Sequence, residues 1–194
     1  IANMYEHKPE PSEQNAKNYL TGNLCRCTGY SPILQAALDV DTKKYVLLKN
    51  KFLNINFTEL SKQMTEPILI ASDNCEYFAP TSLQEACRYK EQYPDTILFS
   101  GGTDLGVQIN KGHLHLKRIL SLHLISELYV QKIETSGNDS EVIVGARVTL
   151  SEFQKLIEKY IPSMDHLLNI FASPQIKNAG TLVGNLANAS PIAD

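Results

Sequence analysis

Two cysteines one residue apart, inside a glycine-bounded stretch, constrain this chain more than any other feature. The run Gly22-Asn-Leu-Cys-Arg-Cys-Thr-Gly-Tyr30 places Cys25 and Cys27 on a turn that the glycines allow to curl. Helical signals flank it. Pro9 and Pro11 lead to Ser12, a good N-cap, ahead of Glu13 to Leu20, and Gly22 and Asn23 suit the positive φ that ends a helix. Ser31-Pro32 opens a second helix, with the cap at Ser31 and proline at the first helical position. Cys25 and Cys27 are too close to bridge each other without strain. Thiols presented this way can ligate iron–sulfur, but a [2Fe–2S] cluster takes four ligands, so the turn is half a site. Zinc would also need two more ligands, and the five histidines lie in unrelated segments. A simple pair of buried or surface thiols is the alternative that spacing leaves open.

The remainder divides by character, with no internal repeat. Residues 1–50 read as two helices around the cysteine turn, and residues 51–75, of weak periodicity, as a linker packed over a surface. From residue 76, strands and helices alternate without regular βαβ spacing, which predicts an α+β domain over 76–194. Thr81 with Gln84 suggests a capping box for a helix to Gln92, and Thr149 with Glu152 a second. Strands are expected at 96–99 and 115–121, and a hairpin is centred on Ser136-Gly-Asn-Asp139. Hydrophobic residues at 43% and charged residues at 20% allow a sizeable core. A net charge of −3 gives no basic face for nucleic acid and no polybasic membrane anchor, and no apolar run could span a bilayer. Without a signal-peptide pattern, a cytoplasmic chain with reduced thiols is expected. Cys87 reads as a small core residue, and the alternating His113 and His115 as a solvated strand edge.

Two glycine-bearing segments suit phosphate. In Leu98-Phe-Ser-Gly-Gly-Thr-Asp-Leu105 a strand passes into a helix through Gly101 and Gly102, which bring backbone N–H groups close to an anion, while Thr103 adds a hydroxyl. Asp104 would repel a diphosphate if it pointed inwards, so it is expected to cap the helix or face a sugar. A valine at Gly102 should project into the space the phosphate needs. A tight structural turn is the competing account. The stretch from Gly180 to Asp194 interleaves small residues with Thr181, Asn185, Asn188 and Ser190, and must pack its backbone against another backbone or a cofactor.

Taken together, these motifs resemble the xanthine dehydrogenase family of molybdenum hydroxylases. Gly22 to Ile33 is similar to the end of that family's helical [2Fe–2S] domain, whose cluster sits between two cysteine turns. The resemblance implies Cys25 and Cys27 as two of four cluster ligands. It also implies that the other cysteine turn and a ferredoxin-like domain precede Ile1. The later segments resemble the family's FAD domain, an α+β flavin fold shared with the vanillyl-alcohol-oxidase group and CO dehydrogenase flavoproteins. There the loop matching Leu98, Phe99, Ser100, Gly101, Gly102, Thr103, Asp104 and Leu105 wraps the FAD diphosphate. The stretch matching Thr181, Leu182, Val183, Gly184 and Asn185 forms the other wall. Asp194, closing Ala189-Ser-Pro-Ile-Ala-Asp194, contacts the cofactor. An aromatic that lies against the flavin corresponds to Phe171, which periodicity alone would make a core residue.

The function so implied is electron transfer from iron–sulfur clusters to FAD and on to NAD, beside a molybdopterin-binding subunit or domain that oxidises a purine. No residue here is expected to perform substrate chemistry. The chain reads as a fragment, cut at both ends, that alone holds no intact cluster. The rival expectation is a non-catalytic metal- or partner-binding module with a vestigial flavin fold, or the redox part of a related aldehyde or N-heterocycle hydroxylase.

Overall fold

Three short helices begin the chain: α1 (Ala2–His7), α2 (Glu13–Leu20) and α3 (Ser31–Leu38). The computed structural model describes all residues except 26, 28, 53–58, 60, 61, 63, 138 and 190–194. At the start of α2, Ser12 accepts from the Asn15 N–H (3.2 Å) and the Asn15 side chain accepts from the Ser12 N–H (3.0 Å), a closed capping box. In α3 the expected cap shifts by one: Tyr30 is the N-cap and Ser31 is already helical. No sequence signal announces α1, because six residues are too few for a periodic stripe. Tertiary packing holds it instead. Met4 and Tyr5 are buried against Ala16 and Ala37, and the Tyr5 hydroxyl donates to the Ala37 carbonyl at 3.0 Å. The Tyr45 hydroxyl donates to the Glu6 carboxylate at 2.9 Å, and a short helix, α4 (Leu48–Lys51), follows.

A four-stranded sheet comes next, in the order β1-β2-β4-β3, from β1 (Ile68–Ala71), β2 (Glu76–Ala79), β3 (Ile97–Phe99) and β4 (Arg118–Ser121). β1 lies inside the stretch expected to be linker. It is an edge strand, antiparallel to β2 and exposed at all four residues, so burial imposes no alternation that the sequence could display. β2, β4 and β3 run parallel, linked by α5 (Leu83–Gln92) and α6 (Thr103–Asn110). The cap of α5 is Ser82 rather than Thr81, and Ser82 accepts from the Glu85 N–H at 3.3 Å. Glu85 selects this register, because its carboxylate also accepts from the Thr81 N–H at 3.2 Å. Ala86, Leu120 and Ile125 are buried together between sheet and helix, while Cys87 faces solvent instead of the core.

β5 (Gln131–Ser136) and β6 (Asp139–Val144) form the hairpin at the expected place. It feeds α7 (Leu150–Ile157), whose Thr149–Glu152 capping box forms as the sequence predicts. The chain continues through α8 (Pro162–Ile170), α9 (Pro174–Lys177) and α10 (Leu182–Asn188). Val148, Leu150, Phe153, Ile157 and Leu168 make the core beneath these helices. The mixture of parallel and antiparallel strands with flanking helices is the α+β class. His113 and His115 precede β4 and do not lie on it. Among the described residues no helix is long and apolar enough to cross a membrane.

A candidate flavin cradle beside a thiol turn

β3 and β4 end side by side, and the carboxyl ends of parallel strands are where an open sheet leaves room for a ligand. β3 runs into Ser100, Gly101 and Gly102. Gly102 is the N-cap of α6 with φ +69°, a left-handed conformation that costs an L-residue roughly 1–2 kcal/mol. A Cβ at Gly102 would stand 2.5 Å from the Phe99 ring, so a valine there meets the strand's own phenylalanine before any ligand. Gly101 serves close approach: a Cβ there would lie 2.2 Å from the Ala179 carbonyl oxygen. The two glycine-bearing segments therefore meet backbone to backbone. The second is stitched to the start of α7 by Leu150 N–H donating to the Gly180 carbonyl (2.9 Å) and Leu182 N–H to the Val148 carbonyl (3.3 Å). Thr181 then caps α10, accepting from the Gly184 N–H at 3.0 Å.

Between these segments lies a cavity of about 400 Å³, within the roughly 300–1,000 Å³ usual for small-molecule sites. It brings together Leu98, Ser100, Gly101, Gly102, Thr103, Asp104, Leu105, Phe171, Thr181, Val183, Gly184 and Asn185. Two singled-out neighbours point elsewhere: Phe99 lies against His123, ring centroids 5.3 Å apart, and Leu182 packs on the core under α7. Asp194 is outside the described residues. Phe171 packs against that core, as periodicity alone would have it, and also lines the cavity. Leu122, Ala146, Leu150 and Ile176 also line it, and no motif marks them; so does Asn188, one of the polar residues of the second segment. Asp104 is not the helix cap; its carboxylate accepts from Gln108, one turn along the same helix. Ala172, directly after Phe171, holds φ +52°, and Ala189, at the end of α10, φ +46°. Left-handed alanines flanking a cavity are strain of the kind that collects at functional sites.

Behind the loop sits a buried cation. Arg147 Nη1 donates to Ser100 Oγ at 3.0 Å and Nε to the Tyr129 hydroxyl at 3.2 Å, and that hydroxyl donates to the His123 carbonyl at 2.9 Å. Burial, and then the Arg147 charge, hold the His123 imidazole below its usual range.

The thiol turn is of a different kind. Cys25 is half-buried, its N–H donating to the Tyr30 hydroxyl at 3.3 Å, and Cys27 is exposed. The turn starts at Gly22, which abuts α9: a Cβ there would lie 2.4 Å from Gln175 Oε1 and 3.0 Å from Ser173 Cβ. Among the described residues no group of three or more His, Cys, Asp or Glu is gathered for a metal. Two thiolates fit half the ligand set of a [2Fe–2S] cluster and not the whole of it. The loop and cavity fit part of a dinucleotide: close-packed glycines, a helix N-terminus, a threonine hydroxyl and an apolar wall of leucines.

Residues 72–194 match the family model of the FAD binding domain in molybdopterin dehydrogenase, and residues 1–38 that of the [2Fe-2S] binding domain. The chain belongs to the molybdopterin dehydrogenase FAD-binding family and carries a [2Fe-2S]-binding domain ahead of it. It is 27% identical to xanthine dehydrogenase of Drosophila pseudoobscura pseudoobscura, over 95% of this chain and 17% of that protein. To xanthine dehydrogenase/oxidase of Gallus gallus it is 27% identical, over 100% of this chain and 19% of the relative. The chain thus spans under a fifth of these curated relatives. Among solved structures it is similar to carbon monoxide dehydrogenase from Hydrogenophaga pseudoflava, at TM-score 0.55 and 25% identity, over 64% of this chain and 43% of that one. Quinoline 2-oxidoreductase from Pseudomonas putida 86 gives TM-score 0.52 and 28% identity, over 63% and 41%.

Proposed function

We propose that the chain is the electron-transfer component of a xanthine-dehydrogenase-type molybdenum hydroxylase. Residues 1–50 contribute to an iron–sulfur site, residues 76–194 with the edge strand β1 to a flavin site, and the stretch before β1 joins them. One observation carries this reading: two glycine-bearing segments far apart in sequence close on one cavity, and the thiol turn abuts the helix that follows Phe171. FAD, when bound, collects electrons one at a time and releases them as a pair; position and electrostatics are the protein's share. Backbone N–H groups at Gly101, Gly102 and Thr103 receive the diphosphate at the start of α6. The Thr103 hydroxyl and Asn185 add polar contacts, and Asp194 a further one by family resemblance. Leu98, Leu105, Leu122 and Val183 exclude water, and Phe171 limits how the ring system lies. Cys25 and Cys27 supply two of the four cluster thiolates.

The reaction this component serves is oxidation of xanthine, or of another heterocycle or aldehyde, at a molybdopterin-binding subunit or domain. NAD is the acceptor beyond the flavin, and the compartment is the cytoplasm. The test is direct. FAD titrated into the chain should bind saturably with quenched flavin fluorescence, and Ala146→Phe, which places a ring at the cavity wall, should abolish this while circular dichroism stays unchanged. A folded chain that remains colourless and leaves FAD fluorescence untouched would overturn the flavin assignment in favour of a non-catalytic binding module. Iron and sulfide should be sub-stoichiometric in the chain alone. In the complete enzyme, Cys25→Ser and Cys27→Ser should each bleach the iron–sulfur absorption and spare the flavin spectrum.

A further inference from the structure

Arg147 is only 7% exposed, yet none of the ion pairs among the described residues includes it. Its partners are two neutral hydroxyls, Ser100 Oγ and the Tyr129 hydroxyl, with the Tyr129 ring centroid 5.4 Å from the guanidinium carbon. A charge removed from water without a counter-charge is destabilising, so a chain that keeps one has a use for it or a partner still to come. The direction is indicated by Ser100. That residue lines the cavity, and its oxygen accepts from Arg147 Nη1. Among the described residues its own hydroxyl proton has only distant acceptors, the Ala146 carbonyl at 3.4 Å and Thr181 Oγ1 at 3.5 Å. A hydroxyl that accepts from a cation is a stronger donor, and this one is loosely committed at the wall of the cavity. The carboxylate in the lining, Asp104, is tied to Gln108 and makes no ion pair with Arg147.

We propose that Arg147 is the fixed counter-charge for the anionic part of the ligand in this cavity, acting as a positioning residue through Ser100. The proposal rests on the flavin reading and deepens it by naming the diphosphate as the group that the buried guanidinium serves. It distinguishes FAD from the same isoalloxazine without phosphate.

The experiment measures dissociation constants of FAD and riboflavin for the wild-type chain and for Arg147→Met, Arg147→Lys and Ser100→Ala, with circular dichroism as the folding control. Arg147→Met should weaken FAD by about tenfold or more and riboflavin by less than about twofold, and Arg147→Lys, which retains the charge, should recover most of the loss. Ser100→Ala should fall between. Added salt should weaken FAD binding more in the wild type than in Arg147→Met. Equal loss of FAD and riboflavin would make Arg147 a packing residue, and unchanged FAD affinity would leave it no role; either result overturns the proposal. Should Arg147→Met fail to fold, Ser100→Ala carries the same comparison, since it cuts the link and leaves the guanidinium on Tyr129. A wild-type chain that binds no FAD is a separate outcome, because it removes the flavin reading itself.

Discussion

The helical region and the flavin region solve opposite problems. In the first, the candidate chemistry resides in side chains: Cys25 and Cys27 stand on a turn, one half-buried and one exposed, over a small core that includes two alanines. In the second, the candidate chemistry resides in backbone, where Gly101 meets the Ala179 carbonyl and Thr181 is stitched beside α7. A thiolate can wait at a surface for its metal, because the ligand bond supplies the missing order. A diphosphate cradle must exist beforehand, because N–H groups cannot be re-aimed without moving the chain. The flavin region accordingly has the larger core and the strained residues.

If the two regions are held by separate cores, damage to one should spare the other. Phe153→Ala, beneath α7, should cost about 3–5 kcal/mol and remove the flavin region's unfolding transition in urea, while the circular dichroism of α1 to α3 persists. Both regions melting together would break the contrast. Met4→Ala, in the helical core, should cost about 2–3 kcal/mol, less because small neighbours leave less packing to lose. FAD affinity should not change in that variant, and a parallel fall would mean that the contact between Gly22 and Gln175 couples the regions. Ala172→Gly should raise the flavin region's stability by roughly 0.5–1 kcal/mol, relieving a left-handed alanine, with no effect on the helical transition.

The smallest effect expected is on pH dependence. His123 has its pKa lowered in the folded chain, by burial first and by Arg147 second. The unfolded imidazole therefore binds protons over a range where the folded one does not. Its stabilising contribution is complete above the ordinary value of about 6.5 and declines as pH falls below it toward the folded value. Urea midpoints of the flavin region should drop on acidification through that window, and His123→Asn should flatten the slope. A slope that survives the substitution would assign the effect to other groups.

Local chemistry was legible in the sequence wherever it needed only near neighbours. The Ser12 cap, the Thr149–Glu152 box and the hairpin from Gln131 to Val144 all follow from residues a few positions apart. The cap of α5 came out one residue off, because Thr81 with Gln84 and Ser82 with Glu85 fit the same pattern and the carboxylate decided between them. β1 was hidden because an exposed edge strand carries no burial signal. The cavity was half legible: glycines and threonines mark the two segments, but Leu122, Ala146 and Ile176 reach it through pairings between distant residues. Arg147 gave no signal at all. It sits between an alanine and a valine, and its meaning comes from Ser100, 47 positions away in sequence.

The outer edge of β1 has a consequence for how the chain behaves in a crowded solution. Ile68, Leu69 and Ile70 are 38%, 61% and 60% exposed, on a strand that among the described residues is paired on one side only. Such a strand is a template for a second one, and two chains can extend their sheets across it. Pro67 on one flank and Asp73 on the other shorten the usable template and charge its end, as residues that guard against aggregation do. The exposed residues of β1, which lie neither in the thiol turn nor in the cavity lining, should therefore limit how concentrated the chain can be while dispersed, and Leu69→Lys should raise that limit.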